Sequence, residues 1–214
     1  ILASHGRLVS CSCAAGPAFE GMNIHQGMRA ADGAVEDLAL IWDRESSDLD
    51  IRLKIIGETR PAGLCGSGIL AAVRELLRIG LIRPDGRLMK KDELAGTDPR
   101  KELVLEFNGK PAVRLTRGSD GVIITQKDIR QVQLAKGAVL SAVRALLAKT
   151  GLAMEDLDRV IVAGQFGAYL PVESLTGCGI IPAEPGEKIE NAGNTSKAGA
   201  CMALMRSLIP SGRC

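Results

Sequence analysis

Arg159-Val160-Ile161-Val162-Ala163-Gly164-Gln165-Phe166-Gly167 decides how the rest of the chain is read. Four consecutive apolar residues, mostly β-branched, predict a short strand covered on both faces, the pattern of a central parallel strand. The run stops abruptly at two glycines. In open α/β sheets, ligands bind beyond the carboxyl ends of the strands. Gly164, Gln165, Phe166 and Gly167 therefore make a candidate ligand loop, with a simple sharp turn as the alternative reading.

Downstream the chain keeps alternating. A short helix is expected near Pro171, a short strand from Lys188 to Asn191, and a last helix from Ser196 to Leu208 entered through Gly193-Asn194-Thr195. Ala198, Gly199, Ala200 and Ala203 on that helix are small enough to let another element approach closely. Upstream, Thr125 caps a helix from Gln126 to about Lys149, with Asp128 in the first turn, where the helix dipole favours an acid. Gln126, Arg130 and Gln133 share one face, extended by Lys136: a solvated stripe, or a wall against a nucleotide base.

Before that helix, residues 88–120 are charged and irregular, with short strands expected at Leu103–Phe107 and Ala112–Leu115, and residues 88–118 read as a variable insertion at the domain edge. Ile69, Leu70, Val73, Leu76 and Leu77 recur at helical spacing, with Arg74, Glu75 and Arg78 on the other face and Gly80 closing the helix. Gly66, Ser67 and Gly68 open it. Ala34–Trp42 and Ile51–Ile56 alternate apolar and polar residues as an antiparallel hairpin does. Leu8–Ala14 is strand-like and runs into the glycine turn Ala15–Gly21, which contains Gly16 and Glu20. Ile1-Leu2-Ala3-Ser4 reads as the end of a strand, so a longer polypeptide is expected.

Strands with a hairpin, followed by alternating helices and strands, place the chain in the α/β class. The core must be aliphatic, because the 214 residues include only one Trp, one Tyr and three Phe. A net charge of +2 with interspersed signs, and few stacking aromatics, argue against nucleic acid as a partner. No apolar stretch reaches the roughly 20 residues of a membrane helix. No basic-then-apolar leader opens the chain, and a cytoplasmic location is expected.

Cys11 and Cys13 form C-x-C in an apolar run and are expected to be small core residues, with a redox or metal pair as the alternative. Their spacing is not that of zinc or ferredoxin sites. His5 and His25 have no nucleophile at a recognisable spacing. Three glycine breaks carry the remaining chemistry: Ala15–Gly21, Gly63–Gly68 and Ala163–Gly167. Glycine lets a backbone approach a phosphate, and a helix start offers N–H groups. Glu20 is the candidate catalytic or Mg²⁺-linked carboxylate, with a surface or capping acid as the alternative. Neither the P-loop nor the dinucleotide-binding glycine pattern is present.

Five segments occur in order: CSCAAGPAFEGMNIHQGMRAADGAV (11–35), PAGLCGSGILAAVRELLRIGLI (61–82), TQKDIRQVQLAKGAV (125–139), VIVAGQFGAYL (160–170) and GNTSKAGACMAL (193–204). Together they resemble the carboxy-terminal domain of the reductive activators of corrinoid proteins. The resemblance covers nearly the whole chain. It implies an actin-like ATPase fold built on ribonuclease-H-like halves, with residues 1–214 the later part of the nucleotide-binding domain. It implies ATP and Mg²⁺ as ligands, a corrinoid protein of a methyl-transfer system as partner, and a homodimer. The activity it implies is ATP-driven reduction of Co(II) corrinoid to Co(I). The iron–sulfur cluster of such proteins would lie in a separate region. By position, Ala163–Gly167 matches the adenosine motif, Gly66-Ser67-Gly68 and Ala15–Gly21 border the cleft, and the Gln126–Lys136 face lies beside the adenine. The phosphate loop of the family would precede Ile1, so this chain alone is expected to hydrolyse ATP poorly and to transfer no electrons. A small-molecule kinase of the same superfamily and a non-catalytic docking or dimerisation domain are the competing readings.

Overall fold

The computed structural model describes residues 1–43, 48–116, 121–164, 167, 170–182 and 188–208. Its first elements are two short strands, β1 (Leu2–Ser4) and β2 (Arg7–Val9), paired antiparallel. Strand structure stops at Val9, not at Ala14 as the apolar run suggests, because β1 offers a ladder of only three residues. Cys11 and Cys13 therefore lie in irregular backbone and are exposed, which corrects their expected burial.

β3 (Ala34–Trp42) and β4 (Leu49–Ile55) form the expected hairpin, with a register shift between Val35 and Asp37. β5 (Gly63–Leu64) joins the other edge of β3 in parallel. Helix α1 (Gly66–Arg78) lies across β3, and Ile69, Leu70, Ala71, Ala72 and Leu76 are fully buried there. The two elements can approach this closely because residue 68 has no side chain: a Cβ there would collide with the Val35 carbonyl oxygen. Gly80 turns the chain in the left-handed region (φ +75°).

The polar face expected for α1 is not solvated throughout. Glu75 is 6% exposed. It accepts hydrogen bonds from the Leu40 N–H (3.0 Å), Arg74 Nε (3.1 Å) and Arg78 Nη2 (2.7 Å). Arg74 in turn donates to the Leu38 carbonyl (3.0 Å) and to Ser174 Oγ (2.7 Å). A buried charge is stable only when its hydrogen bonds are all made, and this cluster makes them while tying α1 to β3 and to a segment 100 residues further on.

Residues 88–116 are more ordered than their composition suggests. β6 (Val104–Phe107), β7 (Lys110–Arg114) and β8 (Ile123–Thr125) form a three-stranded antiparallel sheet. Leu88, Leu94, Leu103, Val104, Val113 and Leu115 enter the same core as α1, so the charged residues mask an apolar contribution that spacing alone does not reveal. Arg100 fastens the segment by donating to the Ile79 carbonyl (2.6 Å) and lying over the Trp42 ring (4.6 Å).

α2 (Gln126–Thr150) is the expected long helix. Thr125 and Asp128 cap it reciprocally, and Gly151 ends it at φ +68°. Then β9 (Val160–Ala163), α3 (Val172–Gly177), β10 (Ile189–Gly193) and α4 (Thr195–Leu208) follow in the predicted order. β9 and β10 pair in parallel. Coverage on both faces is not seen: among the described residues no further strand joins this pair, and Ile161 is 58% exposed. The side chains of residues 195–206 are exposed on every face of α4, including the small residues expected to lie under another element. No described helix is long and apolar enough to cross a membrane.

Candidate functional site

The glycine turn is built by close packing of the backbone on itself. Gly16 (φ +68°) is exposed and leads into one 3-10 turn, Ala18–Glu20, whose Ala18 is buried. Gly21 (φ +84°) lies so close to Met28 that a Cβ would meet its backbone oxygen at 2.7 Å, and a Cβ on Gly27 would collide with the Gly21 carbonyl. The loop is also sewn to its surroundings. Met28 N–H donates to the Leu64 carbonyl (2.9 Å), Leu64 N–H to the Gln26 carbonyl (2.8 Å), and Ile123 N–H to the Gln26 side chain (2.7 Å). Two clefts flank it. One, of about 620 Å³, runs along Glu20, Gly21, Met22 and Arg29; the other, of about 420 Å³, is walled by His25, Phe107, Asn108 and Lys127. Asn23 and Ile24 line both. Glu20 is exposed at the larger cleft.

The second glycine break serves packing at Gly68, as described, while Ser67 Oγ lies 3.4 Å from the Sγ of Cys65. Gly66 is buried in the first turn of α1.

The polar stripe on α2 is occupied by protein. Gln126 donates to the Gly86 carbonyl (2.9 Å) and accepts from the Leu88 N–H (2.7 Å). Arg130 and Gln133 both donate to the Asp85 carbonyl (3.0 and 3.2 Å). These three side chains clasp the Pro84–Gly86 turn, so the face is neither a bare solvated stripe nor an open wall for a base. Lys136 points elsewhere: its Nζ sits beside Gly179, just past the carboxyl end of α3. Nearby, burial pushes the Cys178 thiol up to about 11, which keeps it protonated and inert.

The third break has a different character. Gly164 follows β9 at φ +105°, and its N–H donates to the Gly193 carbonyl (2.8 Å) at the end of β10. Gly193 is also left-handed (φ +63°), and among the described residues nothing lies within 4 Å of where either glycine would carry a Cβ. Asn194 then caps α4 by accepting from the Lys197 N–H (3.0 Å). Gly167 packs against Val162, where a Cβ would sit 2.7 Å from Cγ1. Gln165 and Phe166 lie outside the described residues. Gly193 and Asn194 were not singled out as site residues by sequence reasoning, although a second strand–glycine–helix junction was there to be read. Among the described residues, no group of three His, Cys, Asp or Glu side chains is placed to hold a metal ion.

Residues 1–209 match the family model described as the C-terminal domain of RACo, the ASKHA domain. The chain belongs to this family. It is 33% identical over 199 residues to the corrinoid activation enzyme RamQ of Eubacterium limosum, covering 91% of this chain and 32% of that protein. It is 30% identical over 219 residues to the [Co(II) methylated amine-specific corrinoid protein] reductase of Methanosarcina barkeri, covering 95% and 35%. A solved structure titled reductive activator for corrinoid, iron–sulfur protein superposes with a TM-score of 0.75 at 34% identity, over 90% of this chain and 30% of that one. The chain thus spans about a third of the length of these relatives. The strand-end glycines and the self-packed turn belong, in this family, to an ASKHA domain.

Proposed function

We propose that this chain is the nucleotide-binding part of an ATP-dependent activator that returns a Co(II) corrinoid protein to Co(I) for methyl transfer. The observation that carries the proposal is the pair of open, left-handed glycines, Gly164 and Gly193, at the carboxyl ends of two parallel strands. That is where α/β sheets hold ligands, and the missing side chains leave room for a ribose or phosphate to approach the backbone. Gly164, Gly167 and the intervening Gln165 and Phe166 form the adenosine side in this reading.

Glu20 and Gly16, on the self-packed turn, form the phosphate side. One exposed carboxylate beside a cleft suits Mg²⁺, which is held by one or two carboxylates together with phosphate oxygens. Bound there, the ion would offset phosphate charge, and Glu20 would orient it. Gly66, Ser67 and Gly68 open α1, the helix that packs against the Ala18–Glu20 turn. The redox centre belongs to the rest of the longer polypeptide. The partners are a corrinoid protein and a second copy of the activator, and the setting is cytoplasmic. The names borne by the relatives support the corrinoid partner.

The test is calorimetry of Mg²⁺·ATP with the longer polypeptide and with its Gly164→Val variant. Binding that falls at least tenfold in the variant supports the adenosine assignment. No binding by the folded wild type would sink it and leave a docking or dimerisation role.

A further inference from the structure

Asp128 is 1% exposed at the start of α2, yet it does more than cap that helix. Its Oδ2 accepts from the Thr125 N–H and hydroxyl (both 2.8 Å). Its Oδ1 accepts from the backbone N–H of His25 (2.8 Å), a residue 103 positions earlier. The Thr125 N–H bond, answered by the Asp128 N–H donating to Thr125 Oγ1 (3.3 Å), makes an ordinary reciprocal cap, and the hydroxyl bond adds to it. The bond from His25 is not required by the helix at all.

That bond lands at a sensitive place. Asn23 is in the left-handed region (φ +63°), a conformation that costs energy outside glycine and persists only when the surroundings hold it. Asn23 and Ile24 form the wall shared by the two clefts, and the larger cleft continues to Glu20 and Gly21. Downstream, Gln26 and Met28 are anchored to β5 and β8. At His25 the side chain of Asp128 supplies the anchor. The His25 ring is held from outside by Phe107, at 4.5 Å between centroids.

We infer that Asp128 is a positioning residue for the site: through the His25 amide it fixes the Asn23–Ile24 wall, and with it the Glu20 side of the larger cleft. This rests on the nucleotide reading above. A structural role alone would lower stability without changing affinity, so Thr125→Ala is the matched control. It removes the cap hydroxyl and leaves the acceptor for His25 in place.

The experiment compares Asp128→Ala, Asp128→Asn and Thr125→Ala in the longer polypeptide. It records Tm, Mg²⁺·ATP affinity well below Tm, and amide exchange over residues 15–28. Asp128→Ala is expected to weaken Mg²⁺·ATP binding at least tenfold and to speed exchange at residues 22–26. Asp128→Asn, which keeps one carbonyl oxygen, is expected to recover part of both. Thr125→Ala is expected to stay within about twofold in affinity while losing Tm. Equal affinities and equal loop exchange in Asp128→Ala and Thr125→Ala would overturn the inference while leaving nucleotide binding intact. If the wild type binds no Mg²⁺·ATP, the functional reading fails, and the exchange comparison alone decides whether Asp128 holds the wall.

Discussion

At Gly68 the presence or absence of one methyl group decides whether α1 can lie on β3. The Val35 carbonyl occupies the place a Cβ would need, and that carbonyl also accepts the Cys65 N–H (3.2 Å). Backbone cannot swing aside as a side-chain tip can. Gly68→Ala is expected to cost about 1–3 kcal/mol in urea unfolding, in line with overpacking elsewhere. An unchanged midpoint would mean that α1 can slide. Glu75 gives a second test. Burial pushes its carboxyl up, but bonds from Arg78, the Leu40 amide and Arg74 outweigh burial and hold it below its ordinary 4.5. A group whose folded value is depressed stabilises fully above its unfolded value and loses that contribution as pH falls through the folded one. Thermal stability is therefore expected to drop as pH falls below about 4.5, and Glu75→Gln, less stable at neutral pH, is expected to show a shallower drop. Parallel Tm-versus-pH curves would contradict this.

Among the elements, α2 separates two roles that look alike in sequence. Its Gln126, Arg130 and Gln133 face was open to two readings, and the turn at Pro84–Gly86 takes it up. Arg130→Ala and Gln133→Ala are each expected to lower stability by about 0.5–1.5 kcal/mol, the net worth of a lost hydrogen bond, and to leave Mg²⁺·ATP affinity unchanged. A selective loss of affinity would restore the base-wall reading. α1 and the β3–β4 hairpin were legible because each repeats its apolar residues at its own period over enough positions, α2 from its cap, and β9 from an unbroken apolar run that ends at a glycine. The burial of Glu75 was not, since its acceptor role is set by the N–H of Leu40, 35 residues away. Nor was the exposure of Cys11 and Cys13, because an apolar run cannot tell how many rungs its partner strand supplies. The coverage of β9 fails for the same reason: four apolar residues look alike whether one face or both are packed. In the candidate site, both strand–glycine junctions, at Gly164 and at Gly193, stand in the sequence, but that the two glycines are bonded neighbours emerges only when the two strands are laid side by side.

Over the whole molecule, order is unevenly distributed. α1 is enclosed by β3, α3 and the residues around Leu88 and Leu115, whereas residues 195–206 of α4 lie in the open. A helix of 14 residues whose side chains stay this exposed is marginal in water. In the 214-residue chain by itself, α4 amides are expected to exchange within seconds while those of α1 stay protected for far longer, by hydrogen-exchange mass spectrometry. Equal protection would mean that something covers α4, and a concentration dependence would identify a second copy. In the longer polypeptide the α4 amides are expected to slow.

The bond between His25 and Asp128 and the one between Arg74 and Ser174 each join residues about 100 positions apart. On a ribosome adding roughly 5–20 residues per second, each first partner waits about 5–20 s for its second to be made. During that interval the Asn23–Ile24 wall has no Asp128 to hold it, and the outer side of α1 has no α3. The nascent chain thus passes through a stage with a formed hairpin but an unfinished cleft. Codon changes that slow synthesis between residues 25 and 128 would lengthen that stage without altering a single amino acid.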